Sequence, residues 1–554
     1  MRGMLGRVGV ALAAVALLSP AAAQGQSEAG RPYAGYRYYG FTRKAARGGN
    51  KLVPRSATFF GTASHEDFAG VGCQSDGTIV AFGSAYGPDF PAAPGPKILG
   101  RGEWFEVPEF VGGYPTDEDG RPARLAEAYP NRSGMVVYFA EGLGTVRRVV
   151  KFDWGVADIT AGRVLEDDSL VIAGRCLPRF GSWADGAAHV GRSPAPSENA
   201  RDYGPVYHEG VKMSGDVYVA RLSADASRVE WVWVFEGYRG PPSQFRRGRD
   251  GALVFETRGR WRLSLDGKTC RPMGTGGGRS GRLVAVSPQT GVFVTGGDRN
   301  SGTGREPWRR PMCRGYDENG ACVWQIWDWP GPLVGHDDFR LVSDSSVRRG
   351  AFDREGNLLI GGWSDGGNSV FTRSPIDLEK NVGNGGFGMS AWGAGVASFA
   401  YLIRLSPGAF SVRDWAFWAS YLIFTEEDRP NSATLSRLEP LRDGSVAFYG
   451  GAASGLIQTP HNFYPNQDES RERFFYGGPY VAVFSRDFTN LRYSSYVPGV
   501  TLSDVCETAR GVVFVGRAVE GDRRGNPAPV VNALQESFAG GHSDAHIILL
   551  EPER

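Results

Sequence analysis

Three related clusters in this chain set a histidine by carboxylates: His65-Glu66-Asp67-Phe68, His336-Asp337-Asp338-Phe339 and His542-Ser543-Asp544. A histidine next to acids can ligate a metal or move protons near neutral pH. Short acidic residues also cap turns through their own backbone, which is the simpler reading of the same clusters. His65, Asp67, His336 and Asp338 are therefore candidate binding residues. Tyr207 and His208, with His189 upstream and Arg201 close in sequence, form a second candidate. A Tyr/His pair beside an arginine can abstract the proton next to a uronate carboxylate, as polysaccharide lyases do; packing within a long loop is the plain alternative. Trp104, Trp183, Trp308, Trp363 and Trp392 form a third set. Exposed indole faces stack on sugar rings and anchor interfaces, and otherwise they pack the loops that carry them.

Several chemistries lack their pattern. HExxH and paired CxxC spacings are absent, so no metal site is expected. No CxxCH points to covalent haem, and no G-x-S-x-G elbow supports a serine triad. Gly274 to Gly278 is glycine-rich but opens no helix, which removes a phosphate loop. No cofactor is expected.

The elements that must position these residues follow from composition and repetition. The chain has 554 residues, with 61 basic and 60 acidic side chains and a net charge of +1, which excludes the electrostatic footprint of a nucleic-acid binder. Aromatics at 12% exclude a disordered chain. Only seven of the 61 basic residues are Lys; the arginine excess reads as genome composition. Residues 1–23 have the plan of a secretory signal peptide: Arg2 and Arg7, the apolar run Val8 to Leu18, and Ala21 to Ala23 before Gln24. Its removal changes the charge from +1 to −1, since two arginines leave. The apolar run is too short to span a bilayer, so no membrane span is expected. The expected address is secreted, periplasmic or cell-surface. Residues 24–51 read as a linker, and 52–554 as one domain.

Within that domain a phrase of turn, apolar strand and glycine recurs seven times. It runs through Asp76 to Gly83, Asp168 to Gly174 and Asp250 to Phe255, restarts at Gly291, Gly356 and Asp443, and ends at Gly511 to Gly516. Each copy reads as a tight hairpin feeding a buried strand. A second strand–turn–strand phrase alternates with it at Met135 to Trp154, Asp216 to Phe235, Arg260 to Pro272, Met312 to Trp327, Phe399 to Trp418 and Pro479 to Tyr496. Its seventh copy is half present, as Ala545 to Leu550, and Ser56 to Gly61 is the unpartnered strand that would complete it. The expectation is an all-β, seven-bladed propeller closed by an N-terminal strand in the last blade, with long loops on one face.

Phe59 to Pro91 and Val530 to Leu550 resemble the repeat of secreted bacterial β-propeller proteins, the SBBP repeat. The resemblance is strong in the first, sixth and last units, and the units around Gly251 and Gly291 depart from it. It implies a propeller and little about function.

With strands A to D running outward in each blade, B–C and D–A connections share one face. The long insertions, roughly Ser84 to Gly134, Arg175 to Gly215, Trp363 to Ser398, Ala452 to Gly478 and Arg517 to Ser543, are all B–C connections. That face is the expected working surface, the alternative being that the insertions cover blade edges. Cys73 and Cys506 each lie ten residues before the glycine that ends strand B, in blades that meet on closure, and are expected to form a disulfide. Cys313 and Cys322 flank a turn and are the second expected pair; Cys176 and Cys270 have no evident reason to meet. The function expected is a non-catalytic module binding a glycan or an extracellular protein. A polysaccharide lyase using Tyr207 and His208 is the runner-up, and a structural part of an extracellular assembly the third reading.

Overall fold

The computed structural model describes residues 51–62, 65–85, 90, 93–99, 133–152, 158–176, 187, 189–192, 206–208, 211–213, 216–235, 240–274, 281–300, 309–326, 344–364, 399–408, 412–418, 420–422, 429–453, 456–463, 478–488, 490–521, 525–541 and 543–553. The expected leader at 1–23 and linker at 24–51 lie almost wholly outside them. Among the described residues the chain is all β and forms seven blades of a β-propeller. No helix there is long and apolar enough to cross a membrane.

Each blade is an antiparallel A-B-C-D sheet. Blade one is Glu66–Cys73, Ile79–Ala85, Ser133–Phe139 and Val146–Phe152, and blade two Ala161–Val164, Leu170–Cys176, Asp216–Leu222 and Val229–Phe235. Blade three is Arg246–Arg247, Leu253–Glu256, Arg260–Leu263 and Cys270–Pro272, and blade four Arg282–Val286, Phe293–Asn300, Arg309–Tyr316 and Cys322–Ile326. Blade five is Ser345–Phe352, Leu358–Ser364, Phe399–Leu405 and Val412–Trp418, and blade six Arg437–Pro440, Val446–Ala452, Gly478–Phe484 and Leu491–Tyr496. Blade seven takes Val500–Glu507, Val512–Ala518 and Asp544–Pro552 from the C-terminal region, and its outermost strand is Leu52–Phe60, with Leu52 opposite Pro552 and Phe60 opposite Ala545. Strand A of blade one packs on strands A and B of blade seven.

The core is not central. It lies between facing blades, because the two faces of each sheet are both apolar and each needs a neighbour. Val80, Phe82 and Val136 of blade one meet Ile159, Ile172 and Tyr218 of blade two. Phe68 and Ile79 meet Val513 and Ile547 across the seam with blade seven. Phe60 stacks on Phe90 and Phe68 there, at 4.8 and 5.8 Å between centroids, each pair adding about 1 kcal/mol beyond its buried area.

Two glycines that recur in most repeats have separate reasons. The first sits in the A–B turn: Gly77 has φ +85° and its N–H donates to Gln74 O at 3.0 Å, a conformation glycine adopts without strain. The second ends strand B. A Cβ on Gly174, Gly362 or Gly450 would lie within 2 Å of the carbonyl oxygen of Asp158, Ser346 or Thr434, at or just before the start of strand A. That close approach opens a path for strand C. Opposite those glycines stand Tyr218, Tyr401 and Tyr480, whose hydroxyls donate to the same three carbonyls at 3.0, 3.0 and 2.8 Å. In blades two, five and six a glycine near the end of strand B therefore lets a tyrosine on C reach over B and satisfy a carbonyl at or just before the start of strand A.

Candidate functional site

The loop face is best defined where blade seven meets blade one. His65 pairs with Ser543 in a parallel bridge, and Glu66 N–H donates to Ser543 O at 2.7 Å. The buried Ser543 hydroxyl donates to Glu66 O at 3.1 Å, so its 2.6 Å contact with His65 Nδ1 is one in which the ring N–H donates. The Glu66 carboxylate accepts from Thr62 N–H and Thr62 Oγ1, both at 2.9 Å. Asp544 Oδ2 accepts from Gln535 Nε2 at 2.9 Å and Ala539 N–H at 2.8 Å, while Oδ1 has no partner among the described residues. Burial first, and then the Glu66 charge among other causes, holds the Asp544 carboxyl up at about 7.

The arrangement looks like a serine, a histidine and an acid in sequence, but its geometry ties strands together. His65 Nε2 is 3.9 Å from Asp67 Oδ2, beyond a hydrogen bond. Asp67 has a counterpart in the next blade. Its Oδ1 accepts from Ser84 N–H at 3.1 Å, and Asp158 Oδ1 accepts from Arg175 N–H at 2.7 Å, with the same 17-residue separation. A contact repeated in two blades belongs to the fold.

Of the aromatic candidates, Trp363 is described. It is half-buried on strand B of blade five, and the Arg309 guanidinium covers one ring face at 4.9 Å. Arg309 is held in turn by Asp344, through N–H to Oδ1 at 2.8 Å and Nε to Oδ2 at 3.1 Å. Trp104, Trp183, Trp308, Trp392, His336 and Asp338 lie outside the described residues. The backbone of His189 begins a short strand, His189–Arg192, that adds parallel to the outer strand of blade two. Tyr207 and His208 occupy consecutive positions of a separate hairpin, opposite Lys212 and Val211. Strand register thus places His189 on one ladder and the other two on another. Among the described residues no group of three or more His, Cys, Asp or Glu is placed to hold a metal ion.

The expected disulfides are free thiols. Cys313 lies opposite Ile326 and Cys322 opposite Tyr316, three positions apart along neighbouring strands, roughly 10 Å and too far to bridge. Cys73 and Cys506 do not hold equivalent positions. The A–B turn of blade one closes with Gln74 N–H to Thr78 O, that of blade seven with Thr508 N–H to Gly511 O, one residue tighter. Cys73 is thus one position before its turn and Cys506 two. In a ring, equivalent positions point the same way round, so this offset is what lets the two thiols face each other. Cys73 lies against the Ala509 backbone of blade seven, and the charge of Cys73 bears on Cys506.

No protein-family model matches the chain, and no curated protein matches it.

The most organised charged residues were not among the candidates. They lie on the inner strands. Counting back from the residue whose N–H closes the A–B turn, Arg163 and Arg246 are two positions back, while Arg349, Arg437 and Asp504 are four back. Alternate positions share a strand face, and this face looks to the next blade. Arg163 Nη1 donates to Phe245 O of blade three at 3.2 Å. Arg246 Nε and Nη2 donate to Val284 O of blade four at 2.9 and 2.6 Å. Arg349 Nε donates to Ser436 O, at the start of blade six. Arg437 Nη2 meets Asp504 Oδ1 of blade seven at 2.7 Å, and Asp504 Oδ2 accepts from Val71 N–H of blade one at 3.1 Å. Five of the seven inner-strand steps round the ring are linked this way. The sequence signal was an arginine two or four residues before the turn in four of the seven blades, hidden by the overall arginine excess.

Proposed function

We propose that the protein is a secreted or periplasmic, non-catalytic binding module that engages a glycan or protein partner through the face bearing its insertions. The observation that carries this reading is the state of the candidate acid–base groups on that face. His65, Ser543, Glu66 and Asp67 all hold strands together, and Ser543 is fully buried.

The insertions also have a structural share. Lys97–Leu99 and His189–Arg192 lie parallel along the outer strands of blades one and two. Thr459 N–H bonds Ser494 O on the outer strand of blade six, and Ala57 and Val531 exchange both backbone bonds on that of blade seven. These straps occupy edges that would otherwise template pairing with other chains, which weighs against an assembly built through the edges of those four blades. The strap in blade one accounts for three residues of the connection between Ala85 and Ser133. The lyase reading asks His189 to act with Tyr207 and His208, but their backbones run on two separate ladders. The SBBP resemblance and the expected export stay part of the proposal, as does a Cys73–Cys506 bridge formed in an oxidising compartment.

The test is incubation of the protein with a panel of soluble and insoluble polysaccharides, read for protein depletion and for new reducing or unsaturated ends. Depletion without product is the expected result. New ends would replace the proposal with an enzyme, and no depletion would leave a protein partner as its remaining form.

A further inference from the structure

Buried charge is stable when paired and costly when not. The seam between blades seven and one pairs nearly all of its polar groups. The axis does not. Arg163, Arg246 and Arg349 give their hydrogen bonds to backbone carbonyls alone and have no carboxylate partner among the described residues. Arg437 has Asp504. Glu256, the other acid near Arg246, is engaged by Arg260 at 3.5 Å and by Leu283 N–H at 3.2 Å.

The charges that act on each arginine come from across the ring. Arg163 of blade two feels Glu439 and Arg437 of blade six, Arg247 of blade three and Asp504 of blade seven. Arg246 of blade three feels Arg437, Arg349 and Arg163, from blades six, five and two. Side chains on non-adjacent blades share a field in this way when they project toward the common axis. Burial first pushes Arg246 down to about 9 and lowers Arg349; the neighbouring arginines add to this, against the opposing pull of Glu256 on Arg246 and Tyr449 on Arg349. Four guanidiniums, Arg163, Arg246, Arg349 and Arg437, face two carboxylates, Glu439 and Asp504, an excess of two positive charges. The channel also reaches solvent, since Arg163 is exposed on an inner strand and Ser436 is exposed beside Arg349.

We propose that the central channel is a binding site for a small multivalent oxyanion, with Arg163, Arg246 and Arg349 as its donors. Each guanidinium has five N–H groups. Anchoring to a carbonyl on the next blade fixes its position and leaves the remaining donors for a ligand, so little side-chain freedom is lost on binding. An anion there removes the repulsion among the arginines, which a neutral ligand cannot do. The site lies on the axis and is independent of the insertion-bearing face. Glu439 tunes it. Burial first holds this carboxyl up at about 7, with Arg437 and Arg163 acting against that and Asp504 and Glu507 adding to it; Cys506 is the other titratable group in its field. As pH falls from 8 to 6 Glu439 takes up a proton and the positive excess grows.

The test is isothermal titration of the whole protein with sodium sulfate, whose charge is constant over this range, against sodium chloride at matched ionic strength. One site that tightens between pH 8 and pH 6 is expected. Arg163→Gln and Arg246→Gln keep an amide donor and should each weaken sulfate at least about tenfold. Glu439→Gln should tighten it at pH 8 and abolish the pH dependence, a gain that a folding defect cannot imitate. Citrate and glucuronate in parallel separate a free inorganic ion from the acidic group of a larger molecule; preference for either kind supports the site and chooses its ligand. Absence of a sulfate-specific signal, or affinity unchanged in Arg163→Gln, Arg246→Gln and Glu439→Gln, would overturn the proposal.

Discussion

The seam between blades seven and one and the channel along the axis are built from the same kinds of side chain and end in opposite states. At the seam, His65, Ser543 and Glu66 hand their hydrogen bonds to one another and to backbone. Along the axis, three guanidiniums lean on carbonyls and leave their charge unanswered. The contrast separates two uses of a polar group inside a protein. One that is fully partnered specifies how strands meet, whereas one fixed in place but uncompensated stores an unfavourable field that a ligand can relieve.

The largest expected effect lies at the seam. In oxidising buffer Cys73 and Cys506 should join, removing two titratable thiols, and reduction should then lower unfolding stability by about 3 kcal/mol in urea. Unchanged thiol counts after oxidation would leave the seam to its hydrogen bonds. Glu66→Ala strands Thr62 N–H and its hydroxyl in a buried site and should cost about 2–3 kcal/mol without changing sulfate affinity. If affinity moved instead of stability, the division between seam and axis would collapse. Asp544→Asn sharpens it. With its folded pKa raised to about 7, the carboxyl contributes stability that is fully present below the ordinary carboxylate pKa and is lost progressively as pH rises from there through 7. The variant should therefore gain most over the parent at pH 8, by at least roughly 1 kcal/mol, less at pH 5 and least near pH 3, read by thermal melts. The smallest stability change belongs to the axis: Arg163→Gln should fall within about 0.5 kcal/mol of the parent while losing sulfate affinity.

Much of the fold was legible because hairpins are local. A turn such as Asp76-Gly77 and a glycine ending strand B mark most repeats within a dozen residues, and the strand Arg260–Leu263, in one of the least regular units, begins where the pattern places it. The Cys73 and Cys506 positions were misaligned because they were counted from the strand B glycine, across a turn that is one residue shorter in blade seven. Counting from the turn itself gives the register, and with it the face. The axial arginines had only a positional signal, two or four residues before a turn, and nothing local said what they meet. Arg163 and Arg437 lie hundreds of residues apart, and only the ring brings them into one field. Composition offered a ready explanation for arginine that had nothing to do with position. Tyr218, Tyr401 and Tyr480 were similarly hidden, since a tyrosine on strand C acquires its meaning from a glycine on strand B.

Blade seven has a consequence for the order of assembly. Blades one to six are each drawn from one continuous stretch of chain and can form as that stretch becomes available. Blade seven needs Ser56 and Asn532, 476 positions apart, held together at once. Contacts of that separation carry the largest loop-closure entropy and form last in rate-limited folding. The N-terminal strand must therefore wait, unpaired, until everything after it has been arranged. On the reverse path the same blade is the first to come undone, so amide exchange along Leu52–Phe60 should report the earliest opening of the ring. A ring sealed by its two most distant segments tests the spacing of every blade in one final step: six well-made blades at the wrong spacing would leave the last sheet unable to pair.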